Sequence, residues 1–164
     1  MVILAKQKLC NRYEVFRTWF TIEDEKFLQI IENEINVKME FYQADKKDNN
    51  NLIKQFIRPF DLGQAPLLRM GLVNNNKNKS ILMIDVHHII FDGASTSVLM
   101  NDLNALYSEE ILPELEIQYK DFAAWHNSID FKIQKEFWNR EFRNLEETTK
   151  GFPVDYSHGQ VQTY

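Results

Sequence analysis

The feature that most constrains this chain is a change of period around one short segment. The apolar run Ile81-Leu82-Met83-Ile84-Asp85-Val86 has the length of a strand, and His87-His88-Ile89-Ile90-Phe91-Asp92-Gly93 follows it directly. Beyond Gly93 the apolar residues fall at helical spacing, with Leu99, Leu103, Leu106 and Tyr107 forming a stripe. Two adjacent imidazoles at the end of such a strand, with an acid and a glycine close behind, are more than packing requires. Histidine titrates nearest neutrality, so it suits proton transfer or the positioning of an amine. His88 alternates with Val86 and Ile84 and is expected on their strand face, with His87 on the opposite face. The two histidines then have different tasks.

Upstream, Val2, Ala5, Leu9, Tyr13 and Phe16 predict an amphipathic helix, followed by a β-rich stretch over 16–22. Partial alternation of Ile30, Ile31, Ile35, Val37, Met39 and Phe41 predicts a strand region over roughly 27–42. A polar loop at 46–51 begins a short helix through Leu52, Ile53 and Phe56. Segments 67–73 and 80–90 read as strands joined into a hairpin by the asparagine-rich connection 74–79. Phe131, Trp138, Phe142 and Leu145 predict a last helix, and from Thr148 on the chain reads as an extended end or linker.

With 164 residues, 44% of them hydrophobic, the chain suits one globular domain with a real core. The net charge of −5 and the scattered lysines give no reason to expect nucleic-acid binding. The lone cysteine, Cys10, rules out an intramolecular disulfide and reads as a small buried hydrophobe. No apolar run is long enough to span a membrane and the first residues are too short for a signal peptide, so the expectation is a cytoplasmic protein with no membrane partner.

The histidine segment resembles the HHxxxDG core of condensation domains of non-ribosomal peptide synthetases, in the chloramphenicol acetyltransferase-like superfamily. Three other segments agree in order. Asn11 to Phe20 is similar to RHExLRTxF, Pro59 to Arg69 to FDLxxxPLxR, and Tyr119 to Trp125 to YxDYAxW. Tyr13 stands where the family usually has histidine, and Phe91 where a small residue is common. The resemblance implies an α/β fold, a mixed and largely antiparallel sheet with packed helices. It implies that 1–152 is the amino-terminal lobe of such a domain, lacking its first strand, and 153–164 a tail or linker to a missing carboxy-terminal lobe. The implied activity is amide formation between acyl and aminoacyl thioesters on carrier proteins, with the isolated lobe inactive. No cofactor is bound directly; phosphopantetheine arrives on the partner carrier proteins. An epimerization domain, a stand-alone acyltransferase and a non-catalytic carrier-docking module remain open.

Within this frame His88 is the candidate catalytic residue, as a base or as a positioner of the attacking amine. His87 is structural, and because strand neighbours point apart the pair does not chelate a metal. Asp92 is expected to pair with Arg12 or Arg17, so that its loss would strongly destabilise the fold. The competing reading is a cap on the helix starting near Ser95. Gly93 is expected where backbone approaches a ligand closely or takes a positive φ, beside the phosphopantetheine channel. Ser95 and Ser97 are not nucleophiles. Tyr119, Phe122 and Trp125 read as core or lobe-packing aromatics, and His126 and His158 as surface residues. A lobe built to face another exposes apolar surface, so a homo-oligomer is expected as well.

Overall fold

A computed structural model describes residues 1–43, 49–75 and 79–143. The chain divides into two compact units, Met1–Ala123 and Ala124–Tyr164. The first unit contains α1 (Val2–Arg12), a 3-10 turn (Glu14–Arg17), β1 (Thr18–Glu23), β2 (Lys26–Ile31), β3 (Met39–Gln43), α2 (Asn49–Phe56), β4 (Leu68–Asn75) and β5 (Lys79–Val86). A second 3-10 turn (His88–Ile90), α3 (Ser95–Tyr107) and the start of α4 (Tyr119–Ser128) follow. α5 (Lys132–Glu141) belongs to the second unit.

β1 and β2 form an antiparallel hairpin. Its tip residues, Asp24 and Glu25, have φ of 48° and 61°, the left-handed pair whose twist matches a two-residue hairpin loop. The second sheet has the order β3-β4-β5, with β3 parallel and β5 antiparallel to β4. Met70 is the register partner of both Met39 and Ile84. A parallel neighbour needs a crossover connection, and α2 lies in it. The result is the mixed, helix-packed α/β arrangement the sequence implies.

The expected strand over 27–42 is in fact two strands in two sheets. Ile30 and Ile31 are adjacent, which breaks the alternation, and 32–38 carries the chain from one sheet to the other. Within that passage Val37 is buried and its carbonyl accepts a hydrogen bond from Lys6 Nζ. Likewise α1 stops at Arg12. Tyr13 is extended, and Phe16 is buried from the 3-10 turn rather than from a helical face. α4 has no counterpart in the apolar pattern. It is started by its third residue, Asp121, whose carboxylate accepts from the Gln118 N–H at 2.9 Å. The loop residues 46–48 and 76–78, Leu145, and the tail from 148 on lie outside the described residues.

One buried cluster unites Ala5, Leu9 and Cys10 of α1 with Leu99 and Leu103 of α3 and Leu68 and Met70 of β4. α1 packs on α3, so the helical stripe after Gly93 finds its partner at the start of the chain. Cys10 is fully buried, and burial pushes its thiol up to about 11 against the weaker pull of Lys6 and Arg17. On β4, Gly71 lets the chain pass close to α2. A Cβ there would lie 2.9 Å from a ring carbon of Phe56 and 3.1 Å from Met83 Cε.

Two measurements check this packing. Gly71→Val is expected to destabilise the fold by about 1–3 kcal/mol through overpacking against Phe56. Thermal melting reads this, and an unchanged Tm would mean that the ring swings aside freely. Cys10 is expected to resist iodoacetamide at pH 8, since little thiolate exists below a pKa of about 11 and the sulfur is enclosed. Alkylation of the folded chain at the rate of a free thiol would contradict that burial.

Candidate functional site

β5 ends at Val86, and the chain turns before a strand face for His88 can form. The His87 N–H donates to the Leu67 carbonyl at 3.0 Å, and its Nδ1 accepts from the Ile89 N–H at 3.0 Å. The second donation caps the 3-10 turn His88–Ile90. His88 therefore does not share the face of Val86 and Ile84. It sits exposed on the turn, while His87 is half-buried. The two side chains thus part through a turn rather than through strand alternation.

His87 is held from outside the turn. The Phe60 ring meets it edge-on, with centroids 6.2 Å apart, and the Arg69 guanidinium lies 4.2 Å over the same Phe60 ring. Arg69 is in turn paired with Asp85, its register partner on β5. Glu40 extends the network through Arg58, whose hydrogen bond holds the Glu40 carboxyl below the usual carboxylate range. The segment from Pro59 to Arg69 thus acts as the wall against which the first histidine is set.

His88 opens onto a groove of about 260 Å³ lined by Val15, Phe91, Asp92, Ser95 and Tyr119. That volume is below the ~300–1,000 Å³ of an ordinary ligand pocket. Val15 comes from the first 3-10 turn and Tyr119 from the first turn of α4. Gln118 joins the two segments: its Nε2 donates to the Arg12 carbonyl at 2.9 Å, and its Oε1 accepts from the Glu14 N–H at 3.2 Å. Lys120 Nζ adds an ion pair to Glu14 at 2.6 Å. Nothing in the apolar pattern singles out Gln118.

The expected pairing of Asp92 with an arginine is not what the structure shows. Asp92 Oδ1 accepts from the Ser95 N–H at 2.8 Å and the Ser95 hydroxyl at 2.6 Å, capping α3. These two bonds, more than the nearby His88, hold its carboxyl below the usual range, and it stays in solvent. Arg12 instead pairs with Asp102 at 2.9 Å and donates to the Pro113 carbonyl. Arg17 spends its guanidinium on the carbonyls of Cys10, Glu32 and Asn33. The reason is reach. Asp102 lies on the inward side of α3, between Leu99 and Leu106, whereas Asp92 precedes the helix in solvent. A carboxylate on an apolar stripe demands a cation, and that signal would have found Asp102. The same oxygen of Asp102 accepts from the Tyr13 hydroxyl at 2.7 Å. Burial, and then this bond, raise the Tyr13 pKa.

Gly93 has no positive φ, and no atom of the described residues lies within 4 Å of a Cβ built on it, so none of them requires glycine there. Tyr119, Phe122 and Trp125 are exposed rather than core, and α4 buries no residue. His126 is exposed and tilts against Phe131, and His158 lies outside the described residues. Among the described residues no group of three or more His, Cys, Asp or Glu side chains could hold a metal ion, and no helix is long and apolar enough to cross a membrane.

A family model for the condensation domain matches residues 2–164. Gramicidin S synthase 2 of Aneurinibacillus migulanus is 40% identical over 98% of this chain, which spans 4% of that protein. Surfactin synthase subunit 1 of Bacillus subtilis (strain 168) is 38% identical over 96% of this chain, again spanning 4% of its length. The fold is similar to that of the epimerization domain from the third module of tyrocidine synthetase B. There the TM-score is 0.77 at 22% identity, over 96% of this chain and 39% of that one.

Exchanging the roles of the two acids gives a direct check. Asp102→Ala leaves a half-buried Arg12 and a Tyr13 hydroxyl without their shared acceptor, at a cost of about 2–3 kcal/mol. The expected fall in Tm is roughly 5–10 °C. Asp92→Ala removes only an exposed helix cap and is expected to melt much closer to the parent. Equal falls, or a larger one for Asp92, would overturn this assignment.

Proposed function

This chain belongs to the condensation-domain family, and from that premise we propose that it is a piece of a non-ribosomal peptide synthetase whose His88 groove serves amide formation. The reactants are an acyl and an aminoacyl group, each carried as a thioester on the phosphopantetheine arm of a carrier protein. One observation carries the reading. The second histidine of the pair stands exposed at the mouth of a groove, while the first is fixed by Phe60 and its own turn.

In this reading the free amine attacks the thioester carbonyl, a C–N bond forms, and the thiolate of the donor arm leaves. The ammonium formed on attack must lose a proton, and on this proposal His88 takes it or holds the amine in line. Gly93, needing no special backbone within the chain, leaves room for a pantetheine arm to pass. The groove has one wall, so a carboxy-terminal lobe is required to close it, and the lobe alone forms no amide. Carrier proteins are the partners, and the compartment is the cytoplasm.

The test joins the chain to a carboxy-terminal condensation lobe and supplies loaded donor and acceptor carrier proteins. Amide product is expected from the joined protein and not from the 164 residues alone. His88→Ala is expected to lower the rate about a hundredfold or more while leaving Tm nearly unchanged. Full activity of that variant would remove His88 from the chemistry. Exchange of the acceptor's α-hydrogen with solvent, without amide product, would replace this reading with epimerization.

A further inference from the structure

The groove at His88 does not stop at Phe91. Val15, Ile90, Phe91 and Ser95 are shared with a second hollow of about 140 Å³, completed by Tyr13, Phe16, Val98 and Leu99. The two hollows form one trough with chemically different ends. The first carries His88, Asp92 and Ser95. The second is almost wholly aliphatic and aromatic, because the Tyr13 hydroxyl is turned to Asp102. A volume of about 150 Å³ is enough to take up a benzene ring. The hollow therefore has room for one branched aliphatic or aromatic side chain, which its mostly apolar lining favours over a polar one.

The geometry points to an aminoacyl group with a leucine- or phenylalanine-sized side chain as the ligand of this trough. The side chain sits among Phe16, Phe91 and Val98, and the α-amino group lies toward His88 and the Asp92 carboxylate. An ammonium at one end and a hydrocarbon at the other match the two ends of the trough. Phe91 stands at the junction, and its bulk decides how far a side chain enters. Val98 on α3 is half-exposed and can be enlarged without disturbing the core. This assignment rests on the acyl-transfer reading, and specifies which reactant the lobe recognises.

Binding rather than turnover tests it. The probes are stable amide isosteres of leucyl and glycyl N-acetylcysteamine thioesters, titrated against the full chain by ligand-observed NMR. The leucyl probe is expected to bind about tenfold tighter or more, since burying an isobutyl group is a large apolar gain. Val98→Trp is expected to fill the hollow and bring the leucyl probe down to the glycyl level. Equal affinity of the two probes for the parent chain would overturn the pocket while leaving the acyl-transfer reading standing. Binding of neither probe would likewise overturn the pocket, whereas the acyl-transfer reading falls only with the activity test of the joined protein. A leucyl preference that survives Val98→Trp would place the side chain elsewhere and overturn the pocket as well.

Discussion

One carboxylate ties together most of what surrounds the groove. Asp102 accepts from both Arg12 and Tyr13, and Arg12 also reaches the carbonyl of Pro113. The end of α1, the inward face of α3 and the segment leading to α4 are thereby fastened at one place. Arg12 and Asp102 are each largely covered, so the pair is only weakly screened by water. Such a pair contributes little net stability over an apolar substitute, but losing one member is costly. Its effect here is geometric: it sets where the turn carrying Val15 and the hollow beside Tyr13 lie.

A second constraint acts from the sheet. Arg69 on β4 stands opposite Asp85 on β5 and covers the face of Phe60, whose edge meets His87. The first histidine is thus fixed by a ring, a cation and its own capping bond to Ile89. Because His87 closes the turn, the next residue has to point away from the sheet. The pair of imidazoles works as a mount and a free group. A regular strand would also have separated the two side chains, but it would have kept His88 on the sheet instead of at a groove.

These two constraints explain why a lobe of this size presents a trough instead of a closed pocket. The 3-10 turn, α3 and the start of α4 supply one polar wall and an adjoining apolar hollow, and His88 is exposed among the described residues. Acyl transfer from a carrier needs water excluded at the reacting carbonyl. In the proposed reaction a covering segment would supply that exclusion, and the apolar hollow would hold an incoming side chain.

The sequence by itself determined the element types and the family. The apolar run Ile81 to Val86, the stripe Leu99–Leu103–Leu106 and the four ordered segments were enough for a strand, a following helix and, through the family resemblance, a mixed sheet. These are local signals, written in spacing and in residue type. The partners of charged groups were decided only in three dimensions. From the sequence, Asp92 and Asp102 are both acids near two arginines. What separates them is that Asp102 faces inward on α3 within reach of Arg12, whereas Asp92 is held at the helix start by Ser95. The same holds for the strand region around Ile31, where adjacency of two isoleucines broke the pattern and two sheets competed for the chain. Period tells a residue which way to point; which neighbour it meets depends on how distant segments pack, because ion pairs and stacked rings form across the 90 or so residues that separate Arg12 from Asp102.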